Sequence, residues 1–170
     1  DYRLCDNDED GTENFDLTSK YDEIVNSLTD ITLSYFITEA DAVLGDPINE
    51  ITTPAAYPST GLESIWGRAT NLDGCATGGV FNLIIDTVPI FTEVPLFESC
   101  DFGITDGVTE FDLDSQIPTI VAGNLNLNVT FHLSQQDAED DLNSITSPYT
   151  NTSDPESIFV RIEHVITGCY

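Results

Sequence analysis

This chain is one pattern written twice, and the repetition restricts its possible folds more than any other feature. Residues 5–17 run from Cys5-Asp6 to Phe15-Asp16-Leu17, and residues 100–113 run from Cys100-Asp101 to Phe111-Asp112-Leu113, with one insertion in the second copy. Residues 31–35 match 127–131 in pattern, and 38–42 match 134–138. Glu63 to Arg68 answers to Glu156 to Arg161, and Gly74-Cys75 answers to Gly168-Cys169. The order is kept throughout, with a period of about 95 residues. A chain of 170 residues therefore holds two small domains rather than one large one.

Period-two hydrophobic patterning dominates each copy. Ile31, Leu33, Tyr35 and Ile37 alternate with Thr32, Ser34 and Phe36. Leu127, Val129, Phe131 and Leu133 alternate with Asn128, Thr130 and His132, and both chain histidines, His132 and His164, are expected on strand surfaces. Ile158, Val160 and Ile162 alternate with Phe159, Arg161 and Glu163. One short helix per copy is indicated, starting at Thr38 and at Ser134, where a Thr/Ser-x-x-Asp pattern supplies an N-cap. The expected fold is all-β: two tandem immunoglobulin-like antiparallel β-sandwich modules, residues 1–88 and 89–170, each with one short helix and one intramodule disulfide. Copy two reaches Tyr170 without an equivalent of residues 80–86. Its last strand is therefore expected to be missing, leaving an unpaired sheet edge or a borrowed strand, in an excerpt from a longer array.

Four cysteines allow three pairings. Cys5 and Cys75 lie 70 residues apart, Cys100 and Cys169 lie 69 apart, and the matched intervals favour Cys5–Cys75 and Cys100–Cys169. Structural disulfides imply an oxidising, extracellular or cell-surface location. Acidic residues number 31 against 4 basic ones, a net charge of −27. That charge excludes a nucleic-acid backbone binder and disfavours an anionic membrane surface. No apolar run is long enough for a membrane-spanning helix.

The acidic opening of copy one, Phe-Asp-Leu, the Thr38–Ala42 turn of helix, Glu63-Ser64-Ile65-Trp66 with Arg68, and Gly74-Cys75 together resemble a tandem repeat of very large flavobacterial (Bacteroidota) surface adhesins. Gliding-motility adhesins and other type IX secretion substrates carry such repeats. The resemblance covers both copies and implies an immunoglobulin-like module of a long surface fibre. Its implied partners are neighbouring repeats of the same chain, other copies of the fibre, or surface glycans.

Asp6, Asp8 and Asp10 before Gly11 form the strongest local chemical motif. Alternate carboxylates on a coiling loop converge on a hard cation, so calcium is the expected cofactor in copy one, with Thr12 and Asp16 completing the ligand set. Copy two keeps only Asp101, Asp106 and Asp112. Trp66 and Arg68 share a strand face, as do Phe159 and Arg161. An ion pair to a neighbouring carboxylate is the expected role of each arginine, and a ligand platform at Trp66/Arg68 the sharper alternative. Asp86-Thr87-Val88 resembles a Bacteroidota O-glycosylation signal, with Thr87 as acceptor. No nucleophile-elbow, zinc-protease or phosphate-loop motif is present, which points away from an enzyme. The expected role is a structural or adhesive repeat. The alternatives are a carbohydrate-binding module and an accessory domain of a secreted enzyme.

Overall fold

The computed structural model describes residues 1–26, 28–92, 94, 96–102 and 105–170. Contacts divide the chain into two compact units, Asp1–Thr87 and Val88–Tyr170. The protein is all-β with few short helices, arranged as two tandem domains.

In the first unit β1 (Tyr2–Asp6) and β2 (Glu13–Phe15) flank the acidic loop. A turn of 3-10 helix, Leu17–Lys20, then leads into α1 (Tyr21–Val25). β3 (Thr32–Phe36), α2 (Glu39–Leu44), β4 (Tyr57–Ser59), β5 (Ser64–Thr70) and the long β6 (Ala76–Thr87) follow. One sheet has the order β1-β6-β5-β3, and β2 pairs with β4 in a second. Phe15, Leu17, Tyr35, Ile51, Ile65 and Leu83 fill the space between them. β5 shows why: Ile65, Gly67 and Ala69 are buried while Ser64, Trp66, Arg68 and Thr70 are not, the alternation of a half-buried strand.

The second unit repeats part of this plan, without counterparts of β1 and β6 among the described residues. β7 (Glu110–Phe111) pairs with β9 (Tyr149–Thr150), and β8 (Leu127–His132) pairs with β10 (Phe159–His164). α3 (Ile117–Val121) and α4 (Gln135–Asp140) take the places of α1 and α2. Leu113, Ile120 and Phe131 form the buried core. Packing details recur too: the Tyr2–Phe15 edge-to-face pair at 5.0 Å is answered by Phe97–Phe111 at 5.5 Å. Among the described residues β10 pairs with β8 alone, whereas β5 has a strand on each side.

Three expectations need correction here. β1 runs parallel to β6, so the first module's main sheet is mixed rather than wholly antiparallel. Among the described residues each module has two short α-helices instead of one, because Asp16 or Asp112 starts a 3-10 turn that runs directly into α1 or α3. His132 is wholly buried rather than on a strand surface. The helix that follows β8 packs back over β8 and β10 and closes the face His132 occupies, as α2 closes the face of Phe36. The ring is satisfied there: Nδ1 donates to the Leu142 carbonyl at 2.8 Å, leaving Nε2 to accept from the Thr130 hydroxyl at 2.9 Å.

Tyrosines tie the loops to the core. Tyr35 donates to the Leu17 carbonyl at 2.8 Å, and Tyr57 donates to Glu63 at 2.8 Å. Burial first, then the charge of Asp16, pushes the Tyr35 phenol up to about 12. Burial and the Glu63 hydrogen bond push Tyr57 up to about 12 as well. In the unfolded chain both ionise near their ordinary value of about 10. The stability they contribute is therefore complete below about pH 10 and lost as pH rises toward 12. A pH titration should show late tyrosinate absorbance appearing together with the unfolding reported by Trp66 fluorescence. Full ionisation of all six tyrosines before any change at Trp66 would disprove this assignment.

Candidate functional site

The cysteines occupy opposite ends of a module, and strand register shows it. Cys5 lies opposite Asp86 near the C-terminal end of β6, while Cys75 immediately precedes the first residue of that strand. Eleven residues of extended chain between Cys75 and Asp86 span about 35 Å at roughly 3.3 Å per residue. A disulfide needs Cα atoms within about 7 Å. The expected Cys5–Cys75 bond is therefore incompatible with this fold. In the second module Cys169 lies just beyond the end of β10, its carbonyl accepting from His164 N–H at 2.9 Å. Cys100 lies beside Thr109, close to the β7–β9 pair. The expected Cys100–Cys169 bond is absent likewise. Cys5 and Cys169 are the disulfide-bonded cysteines, and Cys75 and Cys100 are exposed free thiols.

The acidic loop is a chain of local turns. Asp6 Oδ2 accepts from Gly11 N–H at 3.1 Å, with Gly11 at φ +76, a conformation that favours glycine. Asp10 Oδ1 accepts from both the backbone N–H and the hydroxyl of Thr12 at 2.7 Å. The Thr12 hydroxyl, then its N–H, holds the Asp10 carboxyl below the ordinary value. Asp16 Oδ1 accepts from Thr18 N–H at 3.0 Å and caps the 3-10 turn. Asp10 and Asp16 are thus turn-forming residues rather than members of a converging set. Among the described residues the carboxylates that converge are Asp6, Asp8 and Glu13, with one oxygen from each lying within 4.8 Å of the others. Glu13 lies outside the alternating run Asp6-Asp8-Asp10, and it reaches Asp6 and Asp8 because the turn at Gly11 returns the chain so that β2 begins beside β1.

A family model described as the Flavobacterium inter-domain disulphide bond domain matches the chain twice, over residues 1–89 and 96–170. The chain belongs to that family. No curated protein and no solved structure gives a significant match. Two matches in tandem agree with flavobacterial tandem domains, and the description agrees with cysteines that cannot pair inside a module.

Among the remaining candidate residues of this inter-domain disulphide family member, both arginines hold helix ends. Arg68 Nη1 donates to the carbonyls of Ala42 and Val43 at 2.7 and 2.8 Å. It satisfies the carbonyls left open at the C-terminal end of α2. A side chain at Gly45, which sits at φ +67, would come within 2.8 Å of Arg68 Nε. Arg161 does the same for α4, donating to Ala138 and Glu139 at 3.1 and 3.0 Å, and adds an ion pair with Glu163 at 2.7 Å. The ion pair expected of both arginines is thus found at Arg161, which lies over the ring of Tyr170 rather than Phe159. Trp66, half-buried, shares with Arg68 the sheet face on which α2 packs. Thr87, the glycosylation candidate, is exposed at the end of β6. Among the described residues no helix is long and apolar enough to cross a membrane.

Proposed function

We propose that this chain is a non-enzymatic, exported pair of modules in a long surface fibre or adhesive protein, cross-linked between modules by disulfides. The observation that carries the reading is the end-to-end placement of the two cysteine positions within one sandwich. Such a module cannot staple itself, yet it presents one sulfur at each end to neighbouring modules. The two oxidised cysteines are one first-position residue, Cys5, and one last-position residue, Cys169. The proposed link accordingly joins the first cysteine of one module to the last cysteine of the next, here Cys5 to Cys169. In an array Cys75 and Cys100 make the equivalent bonds with flanking modules. Each bond forms as two thiols give up two protons and two electrons to a disulfide oxidoreductase of the exported compartment.

Cross-links of this kind suit a fibre under tension, and a net charge of −27 keeps successive modules soluble and mutually repelling. The sequence resemblance to gliding-type adhesins and type IX secretion substrates supports the surface location and the adhesive role. Non-reducing peptide mapping of the oxidised chain, with free thiols alkylated first, tests the linkage. The expected map contains Cys5 joined to Cys169, with Cys75 and Cys100 alkylated. Recovery of Cys5–Cys75, Cys100–Cys169 or Cys75–Cys100 as the dominant pair would overturn it.

A further inference from the structure

We propose that Asp6, Asp8 and Glu13 form a calcium site in the first module. Acidic clusters on a surface this rich in carboxylates are ordinary, so the argument rests on what is unusual about Asp6. Its side chain is buried, at 7% exposure, although it is a charged residue on a loop boundary. Oδ2 is taken by Gly11 N–H, and Oδ1 is enclosed without any hydrogen-bond donor. Burying an unpaired carboxylate oxygen is costly, and the usual remedy is a paired charge or a bound metal. No side chain supplies that charge. Arg3 pairs with Asp86 and Lys20 with Glu23, while Arg68 and Arg161 hold helix ends. Among the described residues no basic group pairs with Asp6, Asp8 or Glu13.

The second module supplies an internal comparison. Asp101 takes the place of Asp6 and accepts from Gly107 N–H at 2.9 Å, so the turn itself is kept. Thr109 stands where the first module has Glu13, and the buried amide of Asn151 binds the loop instead. Asn151 accepts from Thr109 N–H at 2.7 Å and donates to the carbonyls of Gly107 and Ser153 at 2.7 and 2.9 Å. The first module has Ser59 opposite Glu13, and its hydroxyl oxygen accepts from Gly61 N–H within its own turn. One module thus closes its loop with a neutral amide, and the other converges three carboxylates there. Three hard oxygen donors with none of nitrogen or sulfur match calcium, which takes oxygens at about 2.4 Å and therefore up to about 4.8 Å apart across one ion.

The single tryptophan, Trp66, lies in the first module, so its fluorescence reports that module alone in the intact chain. Urea unfolding is followed in calcium chloride and in EGTA at matched ionic strength. At free calcium one hundred times the dissociation constant, the folding equilibrium should shift about a hundredfold toward the native state. Asp8→Asn, an exposed position, should lose most of this shift and be more stable than the parent in EGTA, since one repelling charge is gone. Asp101→Asn in the second module should leave the shift intact. Identical curves in calcium and EGTA, an undiminished shift in Asp8→Asn, or an equal shift from magnesium chloride would each overturn the site. The disulfide map is read separately, so failure here leaves the linkage standing, and the reverse also holds.

Discussion

Replacing Phe15 with alanine is expected to destabilise the first module by about 3–5 kcal/mol, the range for a large aromatic removed from a packed core. Phe15 is completely buried, meets Tyr2 edge-to-face, and belongs to the cluster that both sheets share. It also sits where β2 passes into the 3-10 turn, so the cavity would open between the two sheets, where collapse is least easy. Phe111 holds the equivalent place in the second module but is only half-buried. Phe111→Ala should therefore cost clearly less. Urea denaturation followed at Trp66 measures the first substitution, and the tyrosine signal of the second module measures the other. A loss below about 1 kcal/mol for Phe15→Ala would mean that this cluster is not the core.

Arg161→Ala should cost about 3 kcal/mol, through a different mechanism, the removal of a buried cation that serves a partly exposed carboxylate and two helix-end carbonyls. Arg161 is 8% exposed, and its guanidinium meets Glu163, two carbonyls at the end of α4 and the Tyr170 ring. Truncation strands Glu163 and both carbonyls at once. Arg161→Lys should recover little, because a lysine ammonium cannot reproduce a planar fork that serves a carboxylate on one side and carbonyls on the other. Thermal unfolding of the two variants beside the parent checks the claim. If Arg161→Lys were as stable as the parent, the charge alone would be acting and the fork geometry would be irrelevant. Arg68→Ala should follow in the same direction with a smaller loss, since Arg68 serves the α2 carbonyls without an ion pair among the described residues.

Local patterns translate into structure where neighbours in sequence make the contacts. Thr38 and Ser134 accept from the N–H groups of Asp41 and Asp137 and cap α2 and α4, as their spacing implies. The alternation in residues 64–70 becomes β5, with Ile65 and Ala69 inside. The duplication becomes two modules whose paired details extend to Tyr57–Glu63 and Tyr149–Glu156. His132 shows the limit: alternation assigns it to an outer face, and only the return of α4 across the sheet makes that face an interior.

Residue order by itself determined the repeat, the β character, the starts of α2 and α4 and the presence of a carboxylate-rich loop, because each depends on contacts within a few positions or on copying. Tertiary structure alone decided the cysteine chemistry and the composition of the carboxylate cluster. Equal spacings of 70 and 69 residues say nothing about which end of a sheet each cysteine reaches. That is set by the parallel register of β1 on β6, a pairing between segments about 80 residues apart, which puts Cys5 beside Asp86 and a strand's length from Cys75. Glu13 joins Asp6 and Asp8 for a related reason: the turn at Gly11 folds the loop back on itself, and a chain reversal exchanges the nearest neighbours in sequence for the nearest in space.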